Sequence, residues 1–154
     1  MLIGIPSCIG PDLLSLLYRM GHGDELVLAD AFFCGETFGK RVVRADGIRI
    51  PELLDGVLGL INLDDMTKDP LVMMQPAAGE QLDPDVEHSF RAAVDRHWPE
   101  APAIARMERF AFYERAKNAF AVVMTGETVK YGNIILKKGV IPLTGAGRHE
   151  GDIR

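Results

Sequence analysis

The sequence predicts an α/β domain in which one central sheet lies between layers of helices. Short apolar segments of strand length alternate along the chain with amphipathic segments of helix length, a pattern typical of layered α/β domains. The 154 residues suit one domain, and 47% hydrophobic with 25% charged residues is an ordinary globular balance. We find no internal repeat and no low-complexity tract.

Proline, glycine and capping residues delimit the predicted elements. Pro11 suits the first position of a helix and Gly21 its C-terminal stop, while Asp83 is a candidate N-cap for a later helix. After Gly139 the chain mixes glycine with charged residues, so we expect a domain over 1–140 and a flexible tail over 141–154. The predicted order is helix 11–20, strand 25–31, a helix starting near 51, strand 71–75, helix 84–97, helix 110–117, and strands 120–125 and 133–137 around a turn.

Composition and charge argue against several classes of protein. Lys and Arg number 17 and Asp and Glu 22, so the net charge is −5 at pH 7, which disfavours binding to nucleic acid or an anionic membrane. No apolar run approaches the ~20 residues of a membrane span, and the N-terminus lacks the pattern of a secretory signal. Cys8 and Cys34 are too few for a disulfide framework. We therefore expect a cytoplasmic protein.

Motifs for metals, cofactors and covalent catalysis are missing from the sequence. The four histidines lack metal-ligand spacing, and neither G-x-G-x-x-G nor G-x-S-x-G occurs. The segment 35–40 resembles a phosphate-binding loop but is one residue short between its glycines. We expect no cofactor and no metal. The histidines are His22, His88, His97 and His149.

His22 is the first candidate for chemistry. It lies between two glycines at a predicted helix-to-strand junction, where the backbone can turn tightly and leave the imidazole accessible. A histidine side chain can give and take protons at cellular pH. Asp30 ends the following strand, where α/β domains usually place ligand groups. The alternative for His22 is a loop histidine without a role.

Two further segments carry candidate binding groups. Arg109 precedes aromatic residues, a setting in which a guanidinium can hold hydroxyls or a carboxylate. Tyr131 and Asn133 are two residues apart, so in an extended chain they share one face and could bind sugar hydroxyls. The alternative for the first segment is that its phenylalanines belong to the core and that Arg109 and Arg115 form local ion pairs with Glu108 and Glu114. The alternative for the second is that Tyr131 and Asn133 only satisfy the hydrogen bonds of a turn.

Longer sequence motifs, distributed over residues 1 to about 140, resemble those of one known family. The chain is similar to the L-fucose mutarotase and D-ribose pyranase family, and it is closest to the fucose mutarotase branch. These motifs occur in the family's order and spacing, which is far more specific than any single motif. They are MGHGDE (20–25), LADA (28–31), RADG (44–47), LVMM (71–74), RFAFYERAK (109–117), FAVVMTGE (120–127) and KYGNIILKKG (130–139).

The resemblance implies a fold, an activity and an assembly. It implies the ribose pyranase/fucose mutarotase type of α/β fold, over residues 1–140, and interconversion of the α and β anomers of a free monosaccharide without cofactor or metal. It also implies homo-oligomers, typically decamers of pentameric rings, with sites formed where subunits meet. By the same resemblance, His22 is the catalytic histidine and Asp30, Arg109, Tyr131 and Asn133 bind the sugar.

These residue types suit anomer exchange. The sugar ring opens when the anomeric hydroxyl loses a proton and the ring oxygen gains one, so one acid and one base suffice. We expect His22 to be the principal acid/base, donating to the ring oxygen, and Tyr131 to be the complementary proton relay. Asp30, Arg109 and Asn133 would orient the ring by hydrogen bonds.

One segment departs from the family pattern. The fucose branch usually has Asn or His at position 32 and Pro at position 34, whereas this chain has Phe32 and Cys34. Phe32 removes a hydrogen-bonding group and adds apolar bulk directly after Asp30. We therefore expect the sugar preference to differ from that of ordinary fucose enzymes.

Other functions remain open at this point. A second enzymatic hypothesis is a pyranase that interconverts the pyranose and furanose forms of a pentose such as ribose. A non-catalytic hypothesis is a sugar-binding or regulatory protein that keeps the fold and has lost turnover. A purely structural oligomer subunit has no positive support in the sequence.

Overall fold

A computed structural model describes residues 2–141, which form five helices and six strands. The predicted α/β fold with a central sheet between helices is confirmed. All but Ile141 of the tail expected at 141–154 lies outside the described residues. The elements are α1 Pro11–Arg19, β1 Glu25–Ala29, α2 Gly35–Phe38, β2 Val42–Ala45, α3 Ile50–Leu58, β3 Leu71–Met74, α4 Pro84–Asp95, β4 Ala105–Met107, α5 Arg109–Asn118, β5 Ala121–Thr125 and β6 Ile134–Lys137.

The six strands form one sheet in the order β2-β5-β1-β6-β3-β4. β1 pairs in parallel with β5, β5 in parallel with β2, and β3 in parallel with β4. β6 lies antiparallel between β1 and β3. The carboxyl ends of five strands and the start of β6 therefore meet at one edge of the sheet, and the loops at this edge can share a site.

Both faces of the sheet are covered, because alternate side chains of each strand point to opposite sides. Leu26 and Leu28 of β1 pack on one face against a core built with α1, α3 and α4. Val27 and Ala29 point to the other face, where they pack with Phe112 of α5. The strands are thus buried on both sides, as expected for a mostly parallel sheet.

The predicted elements are present, with ends that shift by one or two residues. The first strand ends at Ala29 rather than residue 31, because the amide of Phe32 donates to Oδ1 of Asp30 and turns the chain. The predicted N-cap is confirmed, since the Asp83 side chain accepts from the amide of Asp85. The last two predicted strands are not neighbours, because β1 lies between β5 and β6.

Three elements were missed by the sequence analysis: α2, β2 and β4. The helix α2 has only four residues, and β2 and β4 are the short edge strands of the sheet. Their side chains are only partly buried, with charged Arg44 and Arg106 exposed, so neither strand produces an apolar run that sequence inspection can recognise.

Candidate functional site

Asp30 lies immediately after β1 at the edge where the parallel strands end. Its side chain is almost entirely buried, and its backbone amide donates to Oδ1 of Asn133 at 2.8 Å. Burial raises the pKa of the Asp30 carboxyl, while hydrogen bonds from the Phe32 amide and the Asn133 side chain work against that rise. The predicted residues Asp30 and Asn133 are therefore direct neighbours, with the amide side chain fixing the end of β1.

Tyr131 reaches the same edge through a tight turn before β6. The chain is not extended here, which was the condition for Tyr131 and Asn133 to share one face, since Tyr131 has a φ of 63° in the left-handed region. Gly132 has no space for a side chain, because a Cβ would lie 2.8 Å from the carbonyl oxygen of Val129. The Tyr131 hydroxyl donates to Oε2 of Glu80 at 2.7 Å, so the phenol is directed towards the loop after β3.

Arg109 begins α5 beside a cavity of about 780 Å³. Residues 75–82, after β3, line this cavity together with Glu108, Arg109 and Phe110. The guanidinium of Arg109 stacks over the Phe110 ring at 4.8 Å. Glu108 accepts from the amides of Phe110 and Ala111 and so caps α5. An arginine at a concave surface that also contains Glu80 is well placed to hold a small polar ligand.

The local ion pairs considered as an alternative do not form around Arg115. Arg115 instead donates to both carboxylate oxygens of Glu25 and to Oδ2 of Asp69. Phe112 is fully buried, as that alternative expected, but Phe110 is largely exposed at the cavity. The segment therefore has one arginine that fastens α5 to the sheet and another that faces the cavity.

Tyr113 is a member of this cluster that the sequence analysis missed. It follows Arg109 by one helical turn and packs against the rings of Phe33 and Phe38. Burial raises the pKa of its phenol, and the charge of Arg109 acts in the opposite direction. Asp30 also acts electrostatically on this phenol. The i, i+4 spacing of an arginine and a tyrosine on one helix face was the available signal.

Glu127, also missed, holds the loop that carries Tyr131. Its buried carboxylate accepts from the amides of Thr128 and Val129 through Oε1, and from Arg49 at 3.2 Å. Its backbone carbonyl accepts from the amide of Ala31 at 2.8 Å. The loops after β1 and β5 are thereby joined, which supports the geometry of the whole cluster.

His22 lies at the opposite edge of the sheet. It precedes β1, whereas Asp30 follows β1, and five strand residues separated by about 3.3 Å each place roughly 16 Å of strand between them. Its ring Nε2 is 3.4 Å from Oδ1 of Asp64, a carboxylate that is almost completely buried. Asp64 was not among the predicted residues, because 42 positions separate it from His22.

One chain thus brings four of the five predicted residues to one edge of the sheet and leaves His22 at the other. Arg109 and Glu80 line one cavity, and the Tyr131 hydroxyl contacts Glu80. Asp30 contacts Asn133, and the charges of Asp30 and Arg109 both act on the Tyr113 phenol. His22 has a different partner, Asp64. A ligand held by the four grouped residues is out of reach of the imidazole of the same chain.

The polar clusters in the described part of the chain have no evident metal site. Among residues 2–141, no group of three or more His, Cys, Asp and Glu side chains is placed to hold a metal ion. None of the helices within that range is long and apolar enough to cross a membrane.

Comparison with known proteins gives consistent results over nearly the whole chain. Residues 3–141 match the model of the RbsD / FucU transport protein family. The chain is 56% identical over 143 residues to a protein of Histophilus somni named L-fucose mutarotase, covering 93% of this chain and 99% of the relative.

Solved structures share the fold at comparable coverage. A fucose mutarotase of Streptococcus pneumoniae in complex with L-fucose has a TM-score of 0.87 and 43% identity, with 92% of this chain and 100% of the other covered. FucU of Bifidobacterium longum has a TM-score of 0.86 and 41% identity, with 90% and 99% covered.

Proposed function

The chain belongs to the RbsD / FucU transport protein family, and we propose that it is an isomerase that interconverts the α and β anomers of L-fucose. The observation that carries this proposal is the 56% identity to an L-fucose mutarotase over 93% of the chain and 99% of that relative. Identity at this level, over most of both chains, favours a common reaction as well as a common fold. The pyranase and non-catalytic alternatives have less support.

The cavity at the carboxyl ends of the strands suits a monosaccharide. A sugar presents several hydroxyl groups, each of which can donate and accept hydrogen bonds, and the grouped residues offer a carboxylate, a guanidinium, an amide and a phenol. Asp30 and Arg109 give charge-assisted hydrogen bonds, which are stronger than neutral ones. We assign Asp30, Arg109 and Asn133 to orienting the ring, so that its anomeric centre faces Tyr131.

The acid of the reaction is His22 of a neighbouring copy of the chain. His22 and the sugar-binding cluster lie at opposite edges of one subunit's sheet, so an oligomer must bring one subunit's histidine to another subunit's cluster. A decamer of pentameric rings, as expected from the family resemblance, is the assembly we propose. Asp64 orients the imidazole by accepting from Nε2, and this arrangement leaves Nδ1 for the ligand.

Anomer exchange then proceeds by two proton transfers. The anomeric hydroxyl gives its proton towards Tyr131 as the bond between the anomeric carbon and the ring oxygen breaks. The ring oxygen takes a proton from His22, which leaves an open-chain aldehyde. Rotation about the bond next to the carbonyl presents its other face, and the reverse transfers close the ring. Each positioned acid or base contributes about 10²–10⁴-fold to the rate.

We place this reaction in the cytoplasm. The two cysteines are unpaired, with Cys8 buried and Cys34 exposed, and such thiols persist in a reducing compartment. Fractionation of cells that express the tagged chain would test this assignment, with recovery in the cytosolic fraction as the expected result.

Saturation-transfer proton NMR tests the proposed function directly. Irradiation of one anomeric proton reduces the signal of the other anomer when the protein speeds their exchange. We expect acceleration with L-fucose that exceeds that with ribose, galactose or rhamnose, and loss of acceleration in His22→Ala with sugar binding retained. Acceleration confined to ribose would favour the pyranase alternative. Binding without any acceleration by the wild type would favour the non-catalytic one.

A further inference from the structure

The base half of the proposed reaction has a chemical difficulty. An ordinary tyrosine has a pKa of about 10, so a neutral phenol is a poor acceptor for the proton of an anomeric hydroxyl. Within the structure, Tyr131 is not isolated: its hydroxyl donates to Oε2 of Glu80 at 2.7 Å. The single phenolic proton is thus committed to a carboxylate, and the lone pairs of the oxygen are what remain for a ligand.

We propose that Glu80 is the positioning residue behind Tyr131 and the final acceptor of the proton that leaves the anomeric hydroxyl. This inference rests on the proposed anomer exchange and extends it. The sugar O–H bond breaks and its proton binds the Tyr131 oxygen, while the phenolic proton passes to Oε2 of Glu80. The electron pair left on the anomeric oxygen forms the carbonyl bond. The ring oxygen keeps the electron pair of the broken C–O bond and accepts the proton from His22. Ring closure returns both protons, so nothing is consumed.

The position of Glu80 is suited to this task. Glu80 lines the same cavity as Arg109, so its carboxylate lies at the edge of the sugar-binding cluster. It belongs to the loop after β3, and the contact with Tyr131 joins that loop to the turn before β6 across 51 positions in the sequence. The contact therefore fixes the rotation of the phenolic O–H bond as well as supplying an acceptor.

Charges around Glu80 keep its carboxylate ionised. The Lys130 ammonium donates to Oε1 at 2.7 Å, and this hydrogen bond, followed by that from Tyr131, lowers the pKa of the Glu80 carboxyl. Arg109 adds a smaller effect in the same direction. Glu80 is accordingly an acceptor at neutral pH, and it needs no prior proton loss to take the phenolic proton.

The test compares Glu80→Gln with the wild type by saturation-transfer NMR and by a separate measurement of sugar binding. An amide can still accept a hydrogen bond from Tyr131 but is not a base. We expect the anomer exchange rate on L-fucose to fall by roughly 10- to 100-fold, since a positioned base contributes at least this much, with the dissociation constant of the sugar unchanged. Glu80→Asp, which keeps a carboxylate, should be faster than Glu80→Gln.

A double variant separates a relay from a structural effect. If Glu80 acts through the phenol, Tyr131→Phe and Tyr131→Phe with Glu80→Gln should exchange the anomers at the same rate. Glu114→Gln is the matched control, because it also breaks an exposed contact between a lysine and a glutamate, here with Lys117 on α5, and should keep the wild-type rate.

The contrary outcomes are distinct. A Glu80→Gln protein that exchanges anomers at the wild-type rate, or rate losses that multiply in the double variant, would overturn the role of Glu80 alone. A loss explained entirely by weaker sugar binding would also overturn it, in favour of a structural contact. A wild type that never accelerates exchange would overturn this inference together with the proposed function.

Discussion

Asp64 holds the imidazole of His22 from a buried position on the loop before β3. Its Oδ1 also accepts from the amide of Met66, so the carboxylate is itself fixed. In the proposed assembly His22 acts on a sugar bound by another subunit, and this role needs a defined orientation, because small misplacements of a reacting group cost large factors in rate.

Replacing Asp64 with Asn tests this orientation. The amide oxygen can still accept from the Met66 amide and from Nε2 of His22, which share Oδ1, but it carries no negative charge, so the imidazole loses its charged acceptor. We expect an anomer exchange rate that is roughly 10- to 100-fold lower, with sugar binding retained, as measured by NMR. The exposed neighbour Asp65→Asn serves as control. Full activity in Asp64→Asn would show that the contact has no catalytic importance.

Phe32 is the residue for which we expect an effect on sugar preference. Its ring is 75% exposed, and its backbone amide donates to the Asp30 carboxylate, to which we assign sugar binding. Phe32→Asn would restore a residue type that the family resemblance expects. One added hydrogen bond of about 0.5–1.5 kcal/mol should raise the exchange rate on L-fucose by roughly 2- to 10-fold relative to the other sugars.

The matched control for Phe32 is Tyr18→Asn, which removes an exposed aromatic ring from α1. It should leave the sugar preference unchanged. Equal turnover of L-fucose by the wild type and Phe32→Asn would count against a role for Phe32 in specificity.

Single residues also show which parts of the candidate site can be predicted from the sequence and which cannot. The predicted residues could be chosen because each belongs to a short word of sequence, such as the glycines around His22 or the Tyr-Gly-Asn turn. Glu80 and Asp64 act through contacts across 51 and 42 positions, and no local pattern contains both partners of such a contact. They become visible only when the fold brings the partners together.

At the scale of elements, α3 shows how one close contact outweighs helix propensity. Gly56 lies inside this helix, where alanine would ordinarily be favoured by about 1 kcal/mol. A Cβ there would lie 2.5 Å from Sγ of Cys8, and within 3.4 Å of side-chain atoms of Ile9 and Pro6. The helix therefore packs against the N-terminal segment through a position that only glycine fits.

Gly56→Ala is accordingly expected to destabilise the fold by about 1–3 kcal/mol, because overpacking outweighs the gain in helix propensity. Urea unfolding followed by circular dichroism measures the effect. Adding Cys8→Ala removes the colliding sulfur and should recover most of the loss. A single variant as stable as the wild type would show that the segment relaxes freely away from the helix.

Elements differ in how far the sequence predicts them. The central strands β1, β3 and β5 are buried on both faces, so each is an apolar run that can be recognised alone. The edge strands β2 and β4 are short and partly exposed to solvent. They form because they pair with neighbouring strands, and their composition alone does not identify them as strands. Strand order was also beyond reach, because β1 separates two strands that are consecutive in the chain.

At the scale of the whole molecule, the residues of the proposed site are divided between the two ends of the sheet's parallel strands. The loops that follow β1, β3, β4 and β5 collect the groups to which we assign sugar binding, while the loop before β1 carries His22. The proposed function therefore predicts that a single subunit binds a sugar without completing the reaction. If activity requires the proposed assembly, dissociated subunits should bind L-fucose while leaving its anomers at the uncatalysed exchange rate.

Complementation between two inactive variants tests this division most directly. His22→Ala keeps the sugar-binding cluster and Asp30→Asn keeps the histidine, so oligomers co-assembled from equal amounts should contain sites with both intact halves. Random pairing across an interface predicts recovery of about a quarter of the wild-type exchange rate. Co-assembly of His22→Ala with the double variant His22→Ala and Asp30→Asn should stay inactive. Mixed oligomers of the two single variants that are no faster than either parent would contradict a site shared between subunits.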